Sequence, residues 1–143
     1  MSNFIFKIQS VSKILQQIND LKKKEDRIEA LRVNGNNALQ SILRYIFDPN
    51  IKFLLPEGTP PYRPNMYDEP KALLQELHKI YLFVEGGNPN LKPLRREQLF
   101  IQMLEVVNAD DALLLLAMKD KSSPYKNINK ELVTAAFPEL ISA

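Results

Sequence analysis

Residues 91–143 read LKPLRREQLFIQMLEVVNADDALLLLAMKDKSSPYKNINKELVTAAFPELISA, and the fold class follows from how this stretch divides. Gln98 to Val107 is helical, with Leu94, Phe100, Ile101, Leu104 and Val107 spaced by threes and fours as the inward face. Asn108-Ala109-Asp110-Asp111 then turns the chain. Asn108 can cap the next helix, and the two aspartates suit a helix N-terminus. Ala112 to Met118 is apolar nearly all round, as expected of a central buried helix. The chain leaves it through a basic loop, Lys119 to Lys126, and Asn127 can cap a last helix reaching Phe137. The stretch closes in Phe137-Pro138-Glu139-Leu140-Ile141.

Working backwards, Leu73, Leu74, Leu77, Ile80, Tyr81 and Val84 form one continuous helical stripe, stopped at Gly86-Gly87. Asp68 or Glu69 opens it, with Pro70 at a tolerated first-turn position. Residues 56–70 read PEGTPPYRPNMYDEP, and the five prolines exclude a helix. Tyr62 and Tyr67 favour a loop pinned to the body over a free linker. Ile51 to Leu55 is a short extended segment or the start of that loop. A third helix from the Asn36 or Asn37 cap buries Leu39, Ile42, Leu43, Ile46 and Phe47 and ends at Asp48-Pro49-Asn50. A second, short one carries Ile28 and Leu31 and stops at Asn34-Gly35.

The first helix runs from Phe4 to Leu21 on Phe4, Ile5, Ile8, Val11, Leu15, Ile18 and Leu21, weakened or bent by Ser10 and Ser12. Lys22-Lys23-Lys24 reads either as a solvated, cation-rich helix end or as a phosphate-facing cluster. The expectation is an all-α, single-domain helical bundle over residues 1–143. It has about six or seven helices and one long proline-rich loop, 56–70.

The absence of Cys removes disulfides, thiolate nucleophiles and Cys-containing metal sites. His78, the single histidine, excludes a multi-His metal site and sits one step off its helix stripe, as a boundary or surface imidazole. The carboxylate pairs Glu25/Asp26, Asp68/Glu69 and Asp110/Asp111 read as helix-start residues. Neighbours in sequence point apart on a helix rather than toward one reacting centre. No catalytic residue, metal site or cofactor is expected. The longest apolar run, Ala112–Met118, is far short of the roughly 20 residues that span a bilayer. The first residues lack the pattern of a signal peptide, so the expected location is cytoplasmic, with no membrane partner.

An antiparallel hairpin through Asn108–Asp111 would bring the segment entering its first helix beside the segment leaving its second. The first carries Lys92, Arg95 and Arg96; the second carries Lys119, Lys121, Lys126 and Lys130, with Ser122, Ser123 and Asn127 between them. Seven cations would then line one rim, opposed by Glu97 and Asp120. Charge alone leaves this rim open between a nucleic-acid surface and an ordinary solvated face, since the net charge is only +2.

The same residues carry a family likeness. The run LLQELHKIYLFVEGG, then LRREQLFIQMLEVV, the acidic turn NADDALLLLAMKD and the closing FPELI follow one another. In that order they resemble the N-terminal helical DNA-binding domain of T-even-type phage ATP-dependent DNA ligases. Ile8 to Gly58, including ILRYIFDPNIKF, resembles the preceding part of that domain. The resemblance implies a stand-alone, non-catalytic domain that binds double-stranded DNA, contacting its backbone and minor groove. The contacts would come from Lys92, Arg95, Arg96, Lys119, Lys121, Ser122, Ser123, Lys126, Asn127 and Lys130. Two departures stand out. There is no Lys-x-Asp-Gly nucleotidyltransferase motif, and the loop 121–126, KSSPYK, lacks the glycine of the ligase loop that approaches the minor groove. These departures, with the mild net charge and the proline-tyrosine segment, support an alternative. In it the chain is a protein-interaction or virion-associated component that kept the fold without the DNA role, with a host or phage protein as its partner.

Overall fold

The computed structural model describes residues 9–141. The order is α1 (Val11–Asn19), α2 (Lys24–Val33), α3 (Asn37–Phe47), α4 (Ala72–Glu76), a 3-10 helix (Leu77–Phe83), α5 (Pro93–Val106), α6 (Ala109–Lys119) and α7 (Lys130–Ala136). Among the described residues there is no strand, only two isolated bridges, Phe53 with Val84 and Asn65 with Asn108. The architecture is therefore the expected all-α bundle. Of the expected apolar positions in the first helix, Phe4, Ile5 and Ile8 lie outside the described residues.

α6 is the central helix, packed on by α1, α3 and α5, while α2 and α7 pair beside it. Ala112, Leu114, Leu115, Leu116 and Met118 are buried; Leu113 is exposed. Around them lie Leu15 and Ile18 of α1, Leu39, Ile42 and Leu43 of α3, and Phe100, Met103 and Leu104 of α5. Apart from Met103, these are inward positions that three-and-four spacing selects, whereas Ile101, also expected inward, is half-buried. Leu94 is an exception: it faces solvent, and Arg96 is buried in its vicinity instead.

The continuous helix expected over Leu73–Val84 is instead one short α-helical turn followed by the 3-10 helix. Three residues per turn place Leu77, Ile80 and Phe83 on one line. That line turns Ile80 and Phe83 into the core and leaves Leu74 and Tyr81 exposed. Phe83 meets Phe100 edge-on, with centroids 5.2 Å apart and planes at 76°. Gly86 ends the turn at φ +84°, a left-handed conformation. Gly87 is needed because a Cβ there would sit 1.8 Å from the Tyr81 carbonyl oxygen.

The proline-rich segment is a strap held at intervals. Its leading residues pair with the end of the 3-10 helix, Leu54 N donating to Phe83 O and Glu85 N to Lys52 O, both at 2.8 Å. Further along, Arg63 N donates to Glu105 Oε2 (2.8 Å) and Asn65 Nδ2 to Val106 O (2.9 Å). Asn108 fixes the end, its Oδ1 accepting from Glu69 N and its Nδ2 donating to Asp68 Oδ1. Asn108 thus precedes α6 without capping it through its side chain.

The start of α1 is tied to the start of α6 by a buried carboxylate. Asp111 is 0% exposed, and its Oδ1 accepts from the Ser12 amide at 3.0 Å. Ser12 O in turn accepts from the Tyr125 hydroxyl at 3.2 Å. Among the described residues Asp111 Oδ2 has no hydrogen-bond partner. Burial, opposed by the Ser12 bonds and reinforced by Asp110 and Asp68, raises the Asp111 pKa above the ordinary aspartate value. A carboxyl that binds its proton more tightly when folded loses stability as pH rises from about 4 through its folded pKa. Asp111→Asn keeps an oxygen for Ser12 N and cannot ionise. Its stability minus that of the wild type should therefore grow as pH rises through that window, as read by urea unfolding at a series of pH values. Asp111→Ala, which strands the amide, should cost about 1–3 kcal/mol.

Candidate nucleic-acid interface

Helix directions bring several ends together. Ser12 and Asp111 join the starts of α1 and α6, so these helices run parallel. At their far end Asn127 donates its amide to Asn19 Oδ1 (2.8 Å) and its Nδ2 to Asn19 O (2.9 Å). α5 doubles back on α6, so its start lies at this same end. α2 and α7 also run parallel: Arg32, in the last turn of α2, donates to Ala136 O (3.2 Å) and Ala135 O (2.9 Å), in the last turn of α7. Their first residues therefore lie together at the end marked by Asn19 and Asn127. The segment entering α5 and the segment leaving α6 do reach one end of the bundle.

Of the ten residues expected to touch DNA, five face solvent: Lys92, Arg95, Ser122, Lys126 and Lys130. The others are drawn inward, and the rim of seven cations is not formed. Arg96 is 6% exposed, with Nε donating to Leu82 O (3.2 Å) and NH2 to Leu91 O (3.0 Å). Lys119 is 5% exposed, its Nζ donating to Pro56 O (3.0 Å) and to Asp120 Oδ1 (2.6 Å). Lys121 Nζ donates to Tyr45 O and to Asp48 O (2.7 Å) and lies 5.9 Å from the Phe53 ring centroid. Ser123 Oγ donates to Ile128 O (2.8 Å), and Asn127 is held by Asn19. The cap expected of Asn127 falls to Asn129, whose Oδ1 accepts from Leu132 N at 2.8 Å.

The reason is common to all three cations. Irregular backbone and helix C-termini leave carbonyls without amide partners, and a long cationic side chain nearby satisfies them. Burial lowers the Lys121 pKa, with the Asp48 charge working the other way. Tyr125 is pushed up, by burial first and then by Asp111 and Asp110.

The strap also reaches this end. Leu55 to Pro61 lies over the start of α5 and the end of α6, enclosing with Glu97, Phe100, Ile101 and Lys119 a cleft of about 180 Å³. Strap residues, Glu57 among them, thus line the space between the start of α5 and the end of α6.

Sequence reasoning set Lys22-Lys23-Lys24 apart from the rim, because nothing in the linear order ties the α1–α2 turn to the loop before α7. The Asn19–Asn127 bonds make that tie. All three lysines are exposed, at the same end as Lys126 and Lys130. Among the described residues no group of three or more His, Asp or Glu side chains could hold a metal ion. No helix among them is long and apolar enough to cross a membrane.

Fold and surface together define a small all-α bundle with one lysine-rich end and a pinned proline strap. Residues 14–124, most of the chain, match a family of unknown function, DUF6433, and the chain belongs to that family. No curated protein and no solved structure matches it.

The loop after α6 carries its own constraint. Lys121 has φ +57°, with its amide on Met118 O (3.0 Å) and the Ser122 amide on Ala117 O (2.9 Å). This is the paired bonding of a Schellman stop, with lysine where glycine is usual. At this position the lysine ammonium closes the end of α3. Lys121→Ala should lose those bonds and keep the left-handed strain, whereas Lys121→Gly should lose the bonds alone. Urea unfolding should find the glycine variant the more stable of the two by about 1 kcal/mol, with both below the wild type.

Proposed function

We propose that the protein is a non-catalytic, duplex-DNA-binding protein of the kind its resemblance to phage ligase DNA-binding domains implies. It would grip the phosphate backbone through the exposed cations at the lysine-rich end. The observation that carries this reading is the convergence of exposed Lys92, Arg95, Lys126 and Lys130 on one end of the bundle, from segments more than thirty residues apart. A minor-groove contribution rests on Ser122, the one expected polar contact whose side chain is exposed. Binding through phosphates alone is indifferent to base sequence and steeply weakened by salt. The absence of catalysis is supported by the acidic pairs. Asp111 is locked under α1 while Asp110 is exposed, so the two do not converge on a reacting centre.

One observation favours the second reading, a protein-interaction or virion-associated component. On the strap Met66 is 94% exposed and Tyr67 77% exposed, although Asn65 beside them is anchored to α5. Large apolar side chains held out on a fixed support are what a protein partner would cover.

Fluorescence anisotropy of a labelled random duplex separates the two. Contact with about four phosphates gives an affinity that falls about 10²-fold between roughly 50 and 200 mM salt. An absence of binding at low salt, or binding indifferent to salt, would sink the DNA reading. A partner retained after nuclease treatment, and released by Met66→Ser with Tyr67→Ser, would establish the alternative.

A further inference from the structure

We infer that the duplex-contacting surface centres on the α1–α2 turn and the α6–α7 loop, where Lys22, Lys23 and Lys24 join Lys126 and Lys130 in one cluster. This rests on the nucleic-acid reading above and names the surface and the form of ligand it takes. Three arguments support it.

The first is placement on a firm base. The two segments are tied by the paired Asn127–Asn19 bonds, and the Arg27 guanidinium holds Leu21 O at 2.6 Å just before the lysine triad. α2 and α7 then run side by side away from this end. The lysines therefore leave a fixed backbone, and binding need not order the chain that carries them.

The second is availability. Arg96, Lys119 and Lys121 have their charged heads on backbone carbonyls. The ion pairs among the described residues use Arg44, Lys79 and Lys119, none of the five clustered lysines. On the α5 side, by contrast, Glu57 of the strap and Glu97, two residues from Arg95, line a cleft with Lys119 at the end of α6.

The third is what the cluster lacks. Among the described residues, the exposed large hydrophobics are Val33, Leu54, Met66, Tyr67, Leu74, Tyr81, Leu94, Val106 and Leu113. None falls in 19–26 or 122–131, and the Tyr125 ring is buried. Single-stranded nucleic acid is gripped by stacking bases on exposed aromatics, and a membrane surface by sinking apolar side chains. The cluster offers neither. A spaced set of ammonium groups with no stacking platform fits the regular phosphate rows of a duplex.

Asp20, Glu25, Asp26 and Glu131 lie in the same two segments. They hold the expected affinity in the non-specific range of about 10⁻⁴ to 10⁻⁶ M at physiological salt. They also supply a gain-of-function test.

The experiment is anisotropy with a random duplex at several salt concentrations, on the full chain, with thermal melts to check folding. Lys22→Glu/Lys23→Glu/Lys24→Glu should weaken binding at least about tenfold and lower the salt slope by about three, roughly one for each phosphate-facing lysine. Lys92→Glu/Arg95→Glu, away from the centre of this surface, should weaken binding less than the triad variant and lower the slope by no more than about two. Glu25→Lys/Glu131→Lys, at exposed positions, should tighten binding and steepen the slope, so a triad variant that failed to fold would leave the inference open to refutation. Wild-type binding with the triad and gain variants both unchanged would overturn this inference and leave the DNA reading standing. No wild-type binding to duplex at low salt would overturn both. Tighter binding to an unpaired strand, or to vesicles containing phosphatidylserine, than to duplex would overturn the inference in favour of those surfaces.

Discussion

A carboxyl group shut away from the surface sets the frame of this protein. Asp111, in the first turn of α6, accepts the amide of Ser12 in the first turn of α1, and Tyr125 closes on the same residue from the loop beyond α6. Removing a carboxylate from water is unfavourable unless donors meet it. The contact therefore does more to seat the start of α1 on the start of α6 than to add stability. With that settled, the end of α1 meets the loop after α6, and the Asn19–Asn127 pairing follows. α2 and α7 then set out from neighbouring points. The lysine-rich end is a consequence of a polar lock at the opposite end.

Cations near that end divide by what backbone lies within their reach. Where a helix stops or the chain turns irregularly, carbonyls are exposed, and Arg96, Lys119 and Lys121 close on them. Lys22–Lys24, Lys126 and Lys130, also beside turns and helix ends, stay in solvent. The proline strap sharpens the division. Prolines lack amide donors, so the strap offers more acceptors than donors, and Pro56 O takes the Lys119 ammonium. The strap, pinned to the body, lies over the start of α5 and the end of α6, in the middle of the expected rim.

Much of the fold was legible because its signals are local. Spacing by threes and fours gave the core faces of α1, α3, α5 and α6, and Asn36, Asp48 and Gly86 marked boundaries where they occur. Local signals failed where a second element decides. Leu73–Val84 reads as an α-helix, but packing Phe83 against Phe100 favours a three-residue repeat. Asn127 reads as a cap, but Asn19 claims it and Asn129 caps instead. Arg96 reads as a surface cation, but Leu82 O and Leu91 O are out of sight in the linear order.

The sequence by itself determined the class, an all-α bundle around one apolar helix, since periodicity and caps act within a turn or two of the chain. It also excluded sites that need cysteine or more than one histidine, since the chain has one histidine and no cysteine. Which cations face solvent was decided only by the tertiary structure. An ammonium turns to whatever acceptor lies within hydrogen-bond reach, and carbonyls contributed by distant segments exist there only once the helices have packed.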